Sequence, residues 1–361
     1  MPNVFKQLAE EKSVFRNADA LSPEFLPEQL PGREAQETEL AIALRPAAKG
    51  ERAANCFVYG PTGTGKTSTC RKVLEQLKEF SGRAFCFYAN CWQNDTEQAL
   101  LSLMALKIGA LIPRRGFASD EIFNRIIQHF RQKKLVPIIV LDEADRLFFD
   151  GEEKILYRLS RAGEETGVHF ATILVTNDHG LMARADGRIR SSLAPKQIHF
   201  PAYSPGELKK ILAYRAELSL SPNSFDEEVI ALCAAHGAKG GGDARMALQA
   251  LWLAAKNAEG RGGEKIALED VKKTVGKIIA STEQKKERDG KNLGEKAQKM
   301  LEIISARAQG IEVGELYEEC AKALGASERT LRNGLRELEF KKLVKITPKK
   351  EGHKIVEKNK N

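Results

Sequence analysis

The octapeptide GPTGTGKT, at Gly60–Thr67, constrains the fold of this chain more than any other part of its sequence. It fits the pattern G-x-x-x-x-G-K-[ST], follows the apolar run NCFVY and precedes a helical pattern. Glycines let backbone N–H groups surround phosphates, and the N-terminus of the following helix adds a partial positive charge. The motif therefore predicts a strand–loop–helix unit that binds a nucleotide. The residues predicted to contact this nucleotide are Gly60, Pro61, Thr62, Gly63, Thr64, Gly65, Lys66, Thr67 and Ser68.

Two acidic residues end the apolar run IIVLDE, at Ile138–Glu143. Phosphoryl transfer needs one group that holds the metal ion and another that positions the attacking water. We therefore predict that Asp142 holds Mg²⁺ together with Thr67, and that Glu143 activates the water. Lys66 is predicted to contact the β- and γ-phosphates.

A polar residue, Asn177, ends another apolar run, ATILVTN, and is predicted to hold the attacking water beside the metal ion. The letters DEAD at Asp142–Asp145 are typical of a class of helicases. That class carries a second array of strands and helices, and no such array follows in this sequence. The combined motifs therefore predict an ATPase that binds ATP, ADP and Mg²⁺.

Apolar runs separated by helical patterns indicate a parallel sheet that is covered by helices on both faces. The predicted strands are Asn55–Gly60, Arg83–Asn90, Val136–Asp145, His169–Asp178 and Lys196–Tyr203. After Pro205 the pattern changes to helices alone, near Pro205–Leu218, Phe225–His236, Asp243–Ala258 and Leu268–Ala280. The predicted organisation is an arm (1–32), a nucleotide-binding domain (33–203), a helical domain (204–280), a linker (281–295) and a C-terminal domain (296–361).

The C-terminal domain shows three helical patterns, near Lys296–Ala308, Val313–Leu324 and Ser327–Phe340, followed by two short strands. This order is typical of a winged helix, whose third helix enters the major groove of DNA. Residues predicted to contact DNA are Arg329, Arg332, Asn333 and Arg336 in the third helix, and Lys349 and Lys350 in the hairpin turn. A winged helix that contacts protein instead is the alternative.

The net positive charge of the chain is concentrated at its C-terminal end. The 361 residues include 57 Lys and Arg against 49 Asp and Glu, a formal net charge of +8, and the last 21 residues contain eight lysines against two glutamates. A solvated tail and a DNA-binding wing both account for this pattern. No apolar run approaches the roughly 18 residues of a membrane span, so we expect a cytoplasmic protein with no membrane partner.

In this order and spacing, the motifs resemble those of the AAA+ ATPases, and more narrowly the archaeal origin-recognition and cell-division-cycle type replication initiators. The resemblance covers nearly the whole chain and also rests on PEQLPGREAQ, GRIRSSLAPKQIHFPAYSPGEL and GGDARMAL. It implies an α/β P-loop AAA+ domain with a parallel sheet, an all-α lid domain and a C-terminal winged-helix domain.

The resemblance also implies roles for single residues. Asn177 would be the first sensor, and Arg245 would reach the γ-phosphate from the lid as the second sensor. Arg188, or else Arg190, would be the arginine finger that acts on a neighbouring subunit. Arg33 and Glu34 would lie near the adenine.

A helical insertion after the second strand is also typical of this family, and residues 91–118 are long enough to form it. Arg114 and Arg115 at its end would contact DNA; a plain surface loop is the other interpretation.

The function that the resemblance implies is that of an ATP-dependent replication initiator with slow ATP turnover. Such a protein binds double-stranded origin DNA, recruits or loads an MCM-type helicase, and associates with itself or a paralogue on DNA in the nucleoid of an archaeal cell. Two alternatives are a nucleotide-gated DNA-binding regulator without an origin role and a motor of the Holliday-junction branch-migration type.

Overall fold

A five-stranded parallel sheet organises the N-terminal part of the chain. Its strands are β1 (Cys56–Tyr59), β2 (Ala84–Asn90), β3 (Val136–Asp142), β4 (Ala171–Thr176) and β5 (Lys196–His199), and their order is β2–β3–β4–β1–β5. Every residue of β3 and β4 is buried, as expected for central strands with helices on both faces. The predicted α/β sheet is therefore confirmed.

The structure is a computed structural model that describes residues 13–110, 118–149, 151–277, 295–307, 310–340, 343–348 and 354–358. Its contacts divide the chain into two compact units, Met1–Thr274 and Val275–Asn361. Most of the predicted linker, Arg114, Arg115, Lys349 and Lys350 lie outside the described residues. The predicted domain boundaries stay predictions.

In the described residues, the sheet is surrounded by six helices: α1 (Glu34–Leu44), α2 (Lys66–Phe80), α3 (Glu97–Lys107), α4 (Ser119–Lys133), α5 (Lys154–Thr166) and α6 (Gly187–Leu193). Short helical segments are Ala18–Leu21, Arg45–Lys49, Arg146–Phe149 and Leu181–Arg184. Alternate residues of β1 enter two separate apolar clusters: Phe57 packs into the cluster that includes α3 and α4, and Val58 into the one that includes α1 and α2. The two clusters fix the carboxyl ends of the strands, where the predicted site lies.

Between the sheet and residue 277, where this described range ends, the helices are α7 (Pro205–Ser219), α8 (Glu227–Lys239), α9 (Ala244–Gly260) and α10 (residues 268–277). We call residues 204–274 the lid. The start of α7 is fixed by a capping box, in which the Ser204 hydroxyl accepts from the Glu207 N–H and the Glu207 carboxylate accepts from the Ser204 N–H. No helix in the described part of the chain is long and apolar enough to cross a membrane.

The second unit contains α11 (Glu295–Ser305), α12 (Val313–Leu324) and α13 (Glu328–Phe340) with a small antiparallel sheet. The strands are β6 (Ile311–Glu312), β7 (Val344–Pro348) and β8 (Lys354–Lys358), in the order β6–β8–β7. Three helices and a hairpin match the predicted winged helix. The two-residue strand β6 was not predicted, because two residues are too short to show a period.

Candidate nucleotide-binding site

The P-loop joins β1 to α2 and depends on two glycines with a left-handed backbone. Gly63 has φ of 72° and Gly65 has φ of 84°, a region that side chains other than glycine rarely adopt. A Cβ atom on Gly63 would overlap the carboxylate of Asp243, which belongs to the lid. The backbone N–H of Ala244 also donates to the Gly63 carbonyl, at 3.1 Å. The lid therefore lies directly against the P-loop.

The N-terminus of α2 is open to an anion. No side chain caps it, and its first turn contains no acidic residue. By contrast, Ser204 caps α7 and Asp243 caps α9. Because the first N–H groups of a helix lack partners within the helix and carry a partial positive charge, this end fits a phosphate group.

The Lys66 side chain is buried at the mouth of the P-loop. Its ammonium group donates to the carbonyls of Gly60 (2.8 Å) and Pro61 (2.7 Å) and to Oδ1 of Asn177 (2.7 Å). Burial lowers the pKa of Lys66 to about 8, although the carboxylates of Glu143 and Asp142 act to raise it. The amine is therefore held in place before a phosphate arrives, but its charge is costly in that position.

Asp142 lies at the end of β3, is 4% exposed and accepts three hydrogen bonds. Its Oδ2 accepts from the hydroxyls of Thr67 (2.7 Å) and Tyr88 (2.8 Å), and its Oδ1 accepts from the Glu143 N–H (3.0 Å). Mg²⁺ prefers oxygen ligands and commonly takes one or two from protein, with water and phosphate in the remaining positions. Thr67 and Asp142 therefore fit such an ion.

Tyr88 was not predicted as part of the site. It lies on β2, which pairs with β3 so that Tyr88 faces Val140 and Asn90 faces Asp142. Burial and the neighbouring Asp142 both raise the pKa of the Tyr88 hydroxyl, so it stays a hydrogen-bond donor. A signal for Tyr88 would have required the strand order, which places β2 beside β3.

Glu143 follows Asp142 with an unusual backbone angle and a partly buried side chain. Its φ of 54° is unusual for a residue with a side chain and turns the chain away from β3. Burial raises the pKa of Glu143, and the charges of Asp142 and Asp145 raise it further. Its Oε2 accepts a hydrogen bond from Nδ2 of Asn177, at 3.4 Å. A carboxylate with a raised pKa is a better proton acceptor.

The structure also brings Arg245 to this site. It lies in the first turn of α9, where its backbone N–H donates to Oδ1 of Asp243 at 2.7 Å. The side chain is exposed and lines the cavity beside Lys66 and Glu143. Its positive charge acts on the pKa of both residues. The predicted site residues Lys66, Thr67, Asp142, Glu143, Asn177 and Arg245 therefore surround one cavity.

The two candidate finger residues lie elsewhere, on α6. Arg188 is exposed and donates to both carboxylate oxygens of Asp186, each at 3.2 Å. Arg190 is also exposed, and its Nη1 donates to the Ala183 carbonyl at 3.4 Å. Neither lines the cavity around the P-loop. The choice between them stays a prediction.

The expected place of Arg33 and Glu34 near the adenine stays a prediction. Arg33 is 1% exposed and does not line the cavity. Its guanidinium donates to the carbonyls of Thr64 (2.7 Å) and Pro201 (2.6 Å) and lies 3.6 Å from the centre of the Tyr203 ring. Arg33 therefore holds the P-loop to the segment that follows β5. The apolar wall of the cavity comes instead from the arm and the lid: Phe25, Leu26, Leu30, Ile211, Tyr214 and Leu248.

In the second unit, α13 is amphipathic as predicted. Leu331, Leu335 and Leu338 are buried in the core, and Arg332 is exposed. Arg329, Asn333 and Arg336 lie on the same helix, and their side chains are outside the described part of the structure. Their contacts with DNA stay predictions.

Comparison with known proteins gives two family matches. Residues 49–181 match an AAA domain, and residues 209–275 match a Cdc6 AAA+ ATPase-type lid domain. The first match includes the P-loop and Asp142, and the second includes Arg245.

Similar sequences are found among archaeal replication proteins. The chain is 39% identical over 262 residues to ORC1-type DNA replication protein 1 of Sulfurisphaera tokodaii, covering 72% of this chain and 66% of that relative. It is 36% identical over 278 residues to ORC1-type DNA replication protein 1 of Aeropyrum pernix, covering 75% and 70%. The alignments thus span about two thirds of the relatives' own length.

Solved structures distinguish the replication-initiator interpretation from the branch-migration interpretation. The structure of the Aeropyrum pernix ORC1 protein in complex with DNA matches with a TM-score of 0.71 and 30% identity, covering 97% of this chain and 95% of that chain. The RuvB Holliday junction branch migration motor of Thermotoga maritima matches with a TM-score of 0.51 and 19% identity, covering 91% and 95%, which shows a shared fold alone. The branch-migration alternative is therefore not favoured.

Proposed function

This chain belongs to the family of ORC1-type DNA replication proteins, and we propose that it is an ATP-dependent initiator that binds origin DNA and helps recruit or load the replicative MCM-type helicase. The observation that carries this proposal is a complete P-loop site in the same chain as a winged-helix unit. The site supports nucleotide binding, and the second unit supports DNA binding.

In this proposal the P-loop and Lys66 bind the phosphates of ATP, and Arg245 contacts them from the lid. Thr67 and Asp142 would hold Mg²⁺, which neutralises charge that develops on the phosphates. Asn177 would hold Glu143 in place by a hydrogen bond. The pKa of Glu143, which is raised mainly by burial, suits the carboxylate to accept a proton from water. We expect slow turnover, since the nucleotide state rather than the flux of ATP would control DNA binding.

DNA binding is assigned to α13 and the following hairpin. The surplus of lysine in the last 21 residues would neutralise backbone phosphates and release counterions. The exposed side of α13 would then face the major groove, because its leucines are committed to the core. The DNA complex of the Aeropyrum pernix ORC1 protein supports DNA binding by this chain by analogy.

Self-association, or association with a paralogue, follows if Arg188 acts as a finger. An exposed arginine that lies outside its own nucleotide cavity is suited to reach the phosphate of a neighbouring subunit. The site of action would be the nucleoid of an archaeal cell, because the protein would act on DNA and the similar sequences come from archaea.

A comparison of genomic occupancy with replication starts tests the proposed function. Chromatin immunoprecipitation of the protein is compared with marker-frequency sequencing of growing cells, for the wild type and for the Arg332→Ala/Arg336→Ala variant. We expect the strongest occupancy at the maxima of marker frequency, and its loss in the variant. Occupancy confined to promoters would instead support a nucleotide-gated regulator.

A further inference from the structure

The N-terminal arm, described from residue 13 to residue 32, is fixed at its start to the lid. The N–H groups of Arg16 and Asn17 donate to the Ser219 carbonyl, at 2.8 and 2.9 Å, and the Ser221 N–H donates to the Val14 carbonyl at 2.8 Å. Val14, Ala20 and Leu21 are at most 1% exposed. The first ten described residues of the arm are therefore part of the packed surface of the lid.

The other end of the arm is fixed to the P-loop. Arg33 follows the arm directly, and its guanidinium donates to the Thr64 carbonyl. The middle of the arm, residues 23–31, crosses the cavity between these two ends and supplies Phe25, Leu26 and Leu30 to its wall. This part of the cavity wall is thus a segment whose position depends on the contacts at its two ends.

Arg215 connects this wall to the lid. It lies on α7 and is 6% exposed. Its guanidinium donates to the carbonyls of Ala20 and Ser22, the latter at 2.6 Å, and its central carbon lies 5.1 Å from the centre of the Phe25 ring. Arg215 therefore holds both the end of the packed segment and the first aromatic ring of the wall.

The partners of Arg215 are unusual for a buried cation. Its hydrogen bonds and ion pairs among the described residues involve carbonyl groups alone, with no carboxylate. Burial lowers the pKa of Arg215 to about 10, so the side chain is still charged at neutral pH. A buried charge without a carboxylate costs free energy that an apolar side chain would avoid. The apolar contacts of Val14 and Leu21 could fix the start of the arm without a buried arginine, so Arg215 has a further role.

We propose that Arg215 is a positioning residue for nucleotide binding, which holds the arm against the lid so that Phe25 and its neighbours form a wall for the adenine base. The inference rests on the proposed nucleotide site. It assigns Arg215 to the base end of the ligand, whereas Lys66 belongs to the phosphate end.

The test compares a ligand with a base and a ligand without one. Binding of ATP and of inorganic tripolyphosphate is measured by competition with a fluorescent ATP analogue, for the wild type, Arg215→Lys and Arg215→Met. Because methionine donates no hydrogen bond and lysine lacks the planar fork that reaches both carbonyls, we expect ATP to bind about tenfold more weakly to both variants. Tripolyphosphate affinity should be unchanged. Equal weakening of both ligands, or unchanged ATP affinity, would overturn the inference.

Three further variants keep the result interpretable. Lys256→Met removes a lysine of α9 whose ammonium group lies 4.8 Å from the centre of the Phe15 ring of the arm. Neither residue lines the cavity, so ATP binding should be unchanged. Phe25→Leu removes the aromatic ring of the wall but keeps the hydrogen bonds from Arg215 to the Ala20 and Ser22 carbonyls, and it should reproduce the selective loss if Arg215→Met does not fold. Lys66→Ala should lose both ligands; retention of both would contradict the proposed nucleotide site and not the role of Arg215.

Discussion

The nucleotide site and helix α13 differ in the burial of their charged side chains. Lys66 and Asp142 are 7% and 4% exposed, and each is held by three hydrogen bonds. Arg332 is exposed on a helix whose fixed positions are its leucines. The first region is organised before its ligand arrives, whereas the second provides a charged surface on a stable support. We therefore expect single substitutions to act strongly in the first region and more gradually in the second.

Lys66→Ala should have the largest effect. Removing a buried cation whose partners are fixed should weaken ATP binding at least about 100-fold, or about 3 kcal/mol. Isothermal titration with ATP measures the change. Lys78→Ala is the matched control on the same helix, because Lys78 is exposed in the last turn of α2, does not line the cavity and should contribute little. If Lys66→Ala kept full ATP affinity, the expectation that single substitutions act more strongly in the nucleotide site than in α13 would be wrong.

Arg332→Ala/Arg336→Ala should weaken duplex binding about tenfold to 100-fold and lower the dependence of affinity on salt by about one unit of slope for each phosphate that is no longer neutralised. Fluorescence anisotropy at several salt concentrations gives both quantities. Arg307→Ala is the control in the same unit, because Arg307 pairs with Glu319 on the surface, at 3.3 Å. An equal loss in the control would show that general charge, and not α13, binds DNA.

The dependence of ATP affinity on pH sharpens the comparison. The free protein loses the Lys66 proton near the pKa of about 8, while bound phosphates keep the lysine charged. Binding therefore takes up a proton above that pH, and the Kd for ATP should rise roughly tenfold per pH unit above about pH 8, after a flat region from about pH 7. DNA affinity should stay flat over the same range, since arginine remains protonated. A Kd for ATP that does not change above pH 8 would contradict the lowered pKa of Lys66.

Tyr88→Phe should have the smallest effect. It removes one of three hydrogen bonds to Asp142, so the Mg²⁺ concentration that half-saturates ATP hydrolysis should rise about fivefold. Hydrolysis measured across a Mg²⁺ titration checks this. Tyr157→Phe, at an exposed ring on α5, should leave the titration unchanged. If Tyr88→Phe and Tyr157→Phe give the same Mg²⁺ titration, Tyr88 does not help to position the Asp142 carboxylate for the metal ion.

Local signals explain which parts could be predicted from the sequence. The P-loop and the end of β3 combine an apolar run with a fixed polar sequence. The predicted strand before the P-loop therefore agrees with β1 within one residue at each end, and the predicted strand Val136–Asp145 begins with β3 and extends three residues beyond its end. The hydrogen bond from Tyr88 to Asp142 joins residues 54 positions apart, and the one from Arg215 to Ser22 joins residues 193 apart. No period or motif links such pairs, because strand order and lid packing create them. The cavity wall was missed for the same reason.

The central claim, that nucleotide controls DNA binding, is tested most directly by the affinity of this protein for one duplex in ATP and in ADP. The duplex is the site of strongest genomic occupancy. Coupling between two sites in one protein is commonly about fivefold or more, and we predict a difference of at least this size, which disappears in Lys66→Ala. Equal affinity in ATP and ADP, with both nucleotides shown to be bound, would contradict an ATP-dependent initiator.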